Sequence, residues 1–189
     1  VDDPEEAFRL FNRFRILCAV RQGPFGVHEI NALVEKELQR VGLIQSRNHQ
    51  YQRQSLYKGQ PIIITRNDYQ VDLFNGDIGI TLPDPGVQGE LRTYFPTSDG
   101  GLRKIPSRRL PEHETAYAMT VHKSQGSEFD RVLLLLPDQD MEILTRELIY
   151  TGITRAREYM EVWGREEVFL KASRRRIHRQ SGLQDALWR

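Results

Sequence analysis

Thr120-Val121-His122-Lys123-Ser124-Gln125-Gly126-Ser127-Glu128-Phe129-Asp130 leads into Val132-Leu133-Leu134-Leu135-Leu136-Pro137. The second stretch is an unbroken apolar run. It reads as a strand covered on both faces, as in a parallel sheet between helices. The first stretch is a polar turn joining that strand to another at Ala116–Met119. Downstream, a helix is predicted from about Thr145 to Arg157, with Leu144, Leu148, Ile149, Ile153 and Ala156 facing inward. A strand at Tyr159–Trp163 and a helix over 165–178 follow. Strands alternating with helices define an α/β domain.

The same pattern occurs upstream. Residues 5–14 read as a short helix carrying Phe8, Phe11 and Phe14. Ile16-Leu17-Cys18-Ala19-Val20 is a second buried strand, ended by the loop Arg21-Gln22-Gly23-Pro24. Val27, Ile30, Val34, Leu38 and Val41 then recur at helical spacing. Residues 45–55 are polar and read as a connection. From Gly59 the period changes. Ile62-Ile63-Ile64-Thr65 is strand-like, Asn75-Gly76 is a hairpin signal, and Ile78, Ile80 and Leu82 alternate. Pro83-Asp84-Pro85-Gly86 is a turn, and Leu91–Phe95 and Leu102–Ile105 flank Asp99-Gly100-Gly101. Several short strands between Gly/Pro turns predict a small barrel of SH3-like size. The expected organisation is one α/β domain in two parts, 1–58 and 113–189, interrupted by a β insertion over 59–112.

Composition excludes several classes. Of 189 residues, 39% are hydrophobic and 28% charged, and mean hydropathy is −0.56, which fits a globular chain and neither a disordered nor a fibrous one. The longest apolar run falls far short of the ~20 residues of a membrane span. The acidic start Val1-Asp2-Asp3-Pro4 lacks Met, so it reads as neither a signal peptide nor a natural beginning. A single cysteine, Cys18, excludes an intrachain disulfide and a multi-thiolate zinc cluster and fits a reducing cytoplasm. Net charge is +1, so bulk electrostatics name no partner. From Arg165 onward, however, seven Lys/Arg stand against three Asp/Glu. Their run Arg174-Arg175-Arg176 reads first as a solvated helix face or frayed end, and second as a phosphate contact.

The chemistry begins with absences. No Gly-x-x-x-x-Gly-Lys-Ser/Thr loop cradles phosphates. No apolar strand ends in an Asp-Glu pair for magnesium, and no carboxylate cluster suggests a nuclease. No Ser/His/Asp or Cys/His set stands out, so the chain does not read as a complete enzyme. Two segments look like ligand-facing loops. Thr120–Asp130 gathers hydroxyls, an amide, His122 and Lys123 into one turn, an inventory that suits a phosphodiester backbone. Gly126 allows close backbone approach, and Glu128 can accept from a sugar hydroxyl. A solvated polar turn fits the same composition equally well. Tyr150-Thr151-Gly152-Ile153-Thr154-Arg155-Ala156-Arg157 lies late in the predicted helix, with Thr151 and Arg155 on one face. An arginine there can neutralise a phosphoryl group in its transition state. Taken alone, the segment reads rather as an Arg-rich helix C-terminus that suits the macrodipole. Gly152, costly inside a helix, points to close packing.

Together and in this order, the two segments resemble motifs V and VI of superfamily I helicases, and more closely those of the RecD family, the 5′→3′ motor subunit of exodeoxyribonuclease V. Leu17–Val27, with Gly23-Pro24-Phe25-Gly26-Val27, resembles that family's motif IV region. Gly59–Asp68 and Leu73–Gly79 resemble the entry to its SH3-like 2B subdomain. The likeness spans roughly residues 14–164. It implies a RecA-like parallel sheet, domain 2A, carrying the 2B insertion, with the phosphate-binding loop upstream of residue 1 in domain 1A. It implies ATP and Mg2+ held mainly by that missing half, with Arg155 reaching the γ-phosphate, Glu128 facing the ribose and Gly126 near the phosphates. Arg21 is implied as a second phosphate contact. Thr120, His122 and Lys123 face single-stranded DNA by the same likeness, and Asn67 and Asn75 are DNA candidates near the barrel, although the hairpin turn alone also accounts for Asn75. Implied partners are single- and double-stranded DNA, domain 1A, and RecB- and RecC-like subunits; no membrane is involved. The implied role is cytoplasmic, in DNA recombination and double-strand break repair. The alternatives are a non-catalytic nucleic-acid- or protein-binding module, or the equivalent half of a Pif-type or relaxase-linked helicase.

Overall fold

The computed structural model describes residues 1–44 and 56–177; the polar connection 45–55 and the end of the Arg-rich tail lie outside the described residues. In chain order the elements are α1 (Pro4–Phe11), β1 (Phe14–Cys18), α2 (Val27–Arg40), β2 (Pro61–Ile64), β3 (Ile78–Asp84), β4 (Glu90–Pro96), β5 (Leu102–Pro106), β6 (His113–Thr115), β7 (Ala118–Thr120), β8 (Phe129–Leu135), α3 (Arg146–Ile153), β9 (Ala156–Trp163) and α4 (Glu166–Arg174). No helix among them is long and apolar enough to cross a membrane.

Four strands form a parallel sheet in the order β7-β1-β8-β9. Period-two alternation explains its unbroken apolar runs. Leu17, Val132 and Leu134 pack toward α3 and α4 with Leu148, Ile149, Val168 and Ala172. Cys18 and Leu135 point the other way, onto Val27 and Ile30 of α2. Burial pushes the Cys18 thiol up to about 12, so it is an inert core residue. The outer edge of β7 is closed by a residue the sequence pattern does not mark. The buried Asn31 carboxamide on α2 donates to Ala118 O (3.0 Å) and accepts from Ala118 N (2.9 Å), standing in for a strand partner. Leu134 lies close against Gly152 in α3; a Cβ there would meet the Leu134 methyls at 3.3 and 3.4 Å.

The second sheet is antiparallel, in the order β5-β4-β3-β2-β6. It is the expected β insertion, with β5 and β6 as its unpaired edges. Ile62, Ile64, Phe95 and Ile105 form the core on one face. Ile80, Leu82 and Tyr94 on the other are covered by Ala7, Phe8 and Phe11 of α1. Because β6 pairs with β2 (Ile62↔Thr115), this sheet continues to Thr115, past residue 112.

Three local readings change. α1 stops at Phe11, because Asp130 N and Arg131 N bond Asn12 O and Arg13 O and draw the chain into β1; Phe14 is therefore a strand residue. The β2–β3 connection is not a two-residue hairpin. Asn75-Gly76 forms a turn closed by Asp77 N→Phe74 O at 3.0 Å, at the end of a longer loop with its own Asp68↔Leu73 bridge. α3 ends at Ile153 instead of 157. Phe129 N bonds Arg155 O at 2.8 Å, and that ladder bond starts β9 at Ala156. The Arg-rich run also divides. Arg174 ends α4 and is exposed, whereas Arg175 grips Asp140 (2.6 and 3.0 Å) and Leu144 O (2.9 Å) ahead of α3. The Arg175 bonds hold Asp140 below the usual carboxylate range and raise Arg175 in turn.

The two sheets meet through the segment 113–117. Arg15 of β1, 1% exposed, donates to Ala116 O (3.1 Å) and Phe11 O (3.0 Å). Its guanidinium carbon lies 3.3 Å from the Phe11 ring centroid and 4.8 Å from that of Phe129. The ring faces supply the counter-potential that no carboxylate provides among the described residues. Burial pushes Arg15 down to about 9, which leaves it charged at neutral pH. Glu35 of α2 accepts from Thr115 (2.9 Å) and Tyr57 (3.0 Å), and Arg21 pairs with Glu114.

Candidate functional site

The functional candidates carried by the parallel sheet fall into two groups at opposite ends of its strands. At the carboxyl ends stand Arg21, just beyond β1, and Thr120, which closes β7 in register with Cys18. A short turn, His122–Ser124, follows Thr120. The Thr120 hydroxyl oxygen accepts from Lys123 N at 3.2 Å, which leaves its O–H free to donate outward. Ser124 is buried and bonds Val121 O at 2.7 Å, so it shapes the turn and does not face a ligand. Arg21, Thr120, Lys123 and Glu114 line one small cleft of about 40 Å³. Lys123 is pulled below its ordinary value, first by burial and then by Arg21, while Glu114 opposes the shift. His122 turns away from this cleft. With Gln125 and Thr151 it lines a groove of about 740 Å³ along α3, whose far wall is Arg175–Ile177.

Arg21 is held by the helix that follows it, α2. Its Nε donates to His28 Nε2 at 3.2 Å, and its carbonyl accepts from His28 N at 3.3 Å. Gly26, the N-cap of α2, makes this possible. A Cβ there would lie 2.5 Å from the Gln22 carbonyl carbon and 2.8 Å from that of Arg21.

At the amino ends stand Gly126, Ser127, Glu128, Arg155 and Arg157. Gly126 has φ +86° with open space around it, so it serves the left-handed turn that returns the chain from β7 to β8. The half-buried Arg155 lies just beyond α3. Its Nε donates to Thr151 O (3.2 Å), Nη1 to Ser127 O (3.0 Å) and Nη2 to Thr154 Oγ1 (3.2 Å). All three acceptors are neutral, and no carboxylate among the described residues pairs with it. A guanidinium has five N–H donors, so one remains on each Nη, which is the geometry that meets two oxygens of a phosphate or carboxylate. Glu128 is exposed and accepts from Arg157 Nε at 3.0 Å. It also borders a cleft of about 360 Å³ shared with Phe11, Asp77 and Phe95.

Arg21 therefore stands with Thr120 and Lys123, and not with Gly126, Glu128 and Arg155. Asn67 and Asn75 form a third, separate place on the long β2–β3 loop. The Asn67 side-chain oxygen accepts from Asn75 N at 2.8 Å, so both residues build the turn while remaining exposed. Glu114 and Arg157 are the residues that sequence reasoning overlooks. Glu114 was hidden because β6 is only three residues long. Arg157 was hidden because a helix reaching 157 conceals the strand that brings it against Glu128. No group of three His, Cys, Asp or Glu side chains among the described residues is placed to hold a metal ion.

A parallel sheet between helices, a separate antiparallel insertion and, just beyond α3, an arginine with no counter-ion among the described residues make an α/β domain of RecA-like type. Residues 115–162 match the UvrD-like helicase C-terminal domain. The fold resembles the crystal structure of a Bacteroides Pif1 helicase in complex with ADP-AlF3 and ssDNA, at TM-score 0.51 and 16% identity over 93% of this chain and 44% of that one. The chain is 40% identical over 173 residues to RecBCD enzyme subunit RecD of Haemophilus influenzae, covering 92% of this chain and 25% of that protein. It is 31% identical over 170 residues to the ATP-dependent RecD2 DNA helicase of Deinococcus radiodurans, covering 89% and 22%. The chain belongs to the RecD family. It spans about a quarter of the length of those relatives and corresponds to their C-terminal part.

Proposed function

We propose that this chain is the C-terminal motor domain, 2A with its 2B insertion, of an ATP-dependent 5′→3′ DNA helicase that acts in recombination and double-strand break repair in the cytoplasm. The observation that carries the reading is Arg155, a guanidinium steadied by three neutral acceptors with two N–H groups left over. ATP and Mg2+ bind mainly on domain 1A, and Arg155 completes the site from across the cleft. Glu128 faces the ribose and Gly126 lies beside the phosphates. Single-stranded DNA follows the opposite end of the sheet, where Thr120 and Lys123 meet its phosphates with Arg21 beside them. His122 extends that path along α3. Asn67 and Asn75 offer a further DNA contact on the insertion. RecB- and RecC-like subunits are the protein partners.

The work of the cycle follows from this separation. ATP favours the closed cleft because only there does the γ-phosphate meet Arg155, and a ligand shifts an equilibrium only through such differential contact. Closure moves the Lys123 end relative to domain 1A, and hydrolysis releases it. The full-length polypeptide is expected to unwind a duplex with a 5′ single-stranded tail and to leave a 3′-tailed one intact. The reverse preference in a gel-based unwinding assay refutes the polarity.

The DNA assignment has its own test. Lys123→Ala in the full-length polypeptide is expected to weaken binding to single-stranded DNA irrespective of sequence. The slope of log K against log salt should become shallower by about 0.7, the release from one single-strand phosphate. Fluorescence anisotropy between low and moderate salt reads both quantities. An unchanged slope removes Lys123 from the phosphate path.

A further inference from the structure

We propose that Arg157 is a positioning residue for Arg155: by engaging the Glu128 carboxylate, it keeps Arg155 without a counter-ion and open to an anion. The inference rests on the reading of Arg155 given above.

Two bonds bring Glu128 beside Arg155. Ser127 O receives Arg155 Nη1 at 3.0 Å, and Phe129 N donates to Arg155 O at 2.8 Å. Glu128 lies between those two residues, so Arg155 is bonded to the neighbour on each side of it. Arg155 and Arg157 flank Ala156, the first residue of β9, and Ala156 pairs with Phe129, the residue after Glu128. Two guanidinia thus bond adjacent residues at the amino end of β8, Arg155 at Ser127 and Arg157 at Glu128. Glu128 accepts from Arg157 Nε at 3.0 Å, while Arg155 bonds only neutral oxygens.

The division decides where positive charge is available. A carboxylate on Arg155 would take the two N–H groups that face outward and cancel the charge that a phosphoryl group requires. Neutral acceptors orient the guanidinium without cancelling it. The Glu128–Arg157 side chains are 55% and 61% exposed, and ion pairs this open add little to folding. The consequence of this pair lies in charge allocation.

The test is steady-state ATP hydrolysis by the full-length polypeptide with saturating single-stranded DNA, kcat and KM being read separately. Arg157→Gln frees Glu128 to capture Arg155, and kcat is expected to fall about five-fold, the competition an exposed ion pair can exert. Arg157→Lys, which keeps the charge, retains most of the rate. Adding Glu128→Gln to Arg157→Gln removes the captor. It raises kcat above that of Arg157→Gln alone, as coupled neighbours require, while KM for ATP rises because Glu128 is lost. An unchanged kcat in Arg157→Gln overturns the proposal, as does a double variant as slow as Arg157→Gln. A purely structural Arg157 would lower the melting temperature and give no rescue, which also overturns it. Arg155→Ala separates the two readings. Normal turnover there removes the role of Arg155 itself, whereas an inactive Arg155→Ala beside a normal Arg157→Gln removes only the role of Arg157.

Discussion

Arg155→Ala in the full-length polypeptide is expected to lower kcat for ATP hydrolysis by about 10³-fold or more, the range over which an arginine donated to a transferring phosphoryl group acts. Affinity for single-stranded DNA is expected to stay at the parent level. The separation follows from the sheet. Arg155 precedes the amino end of β9, whereas Thr120 and Lys123 stand at the carboxyl end of β7. The seven residues of β8 set these ends roughly 20 Å apart by strand rise. Arg155→Lys is expected to be nearly as inactive. An ammonium keeps the charge, but it cannot bond Thr151 O, Ser127 O and Thr154 Oγ1 in one plane and still present two parallel donors. Stopped-flow phosphate release and anisotropy on one preparation measure both properties. Turnover at the parent rate, or DNA affinity lost together with turnover, contradicts the assignment.

The second large effect is on folding. Gly26→Ala is expected to destabilise the chain by about 3 kcal/mol, the upper part of the range for overpacking a tight site. The added methyl would sit 2.5 Å from the Gln22 carbonyl carbon. That atom is backbone, so no side-chain rotation relieves the contact. The Arg21–Gln22 turn must shift, or the first turn of α2 must lift from it. Either movement strains Val27 N→Val20 O and His28 N→Arg21 O, both 3.3 Å. A thermal midpoint lower by roughly 10 °C is the expected reading. Gly23→Ala, in the same loop, meets no atoms within 4 Å and bears only its φ of +93°, so its cost should be smaller. Equal midpoints for the two variants would show that close approach is not what selects glycine at 26.

The parallel sheet was legible because burial on both faces leaves a mark that local chemistry does not blur. Val132–Leu136 and Ile16–Val20 could hardly be anything but interior strands. The antiparallel insertion was legible from its turns, although Asn75-Gly76 closed a loop and not the hairpin itself. Boundaries were less visible wherever a tertiary bond overrides a local preference. Residues 154–157 carry no helix breaker, and only the Phe129–Arg155 ladder bond, made across the sheet, ends the helix early. That one bond also decided what could be read of the site. With Arg155 and Arg157 on a helix they belong to different faces; with the helix ended, Arg155 reaches Ser127 O and Arg157 the adjacent Glu128. Arg21 shows the same limit. Its place beside Thr120 and Lys123 depends on the pairing of β1 with β7, which lie about 100 residues apart in sequence. Arg15 is an extreme case, since a charged residue inside an apolar strand gives no sign that two phenyl rings enclose it.

The segment 113–117 is held from three directions, by Arg15 at Ala116, by Glu35 at Thr115 and by Arg21 at Glu114. It is also the return path from the insertion to the parallel sheet, and its strand β6 is hydrogen-bonded to β2. On the proposed motor reading, load placed on the insertion passes through these bonds into the strand that ends in Thr120.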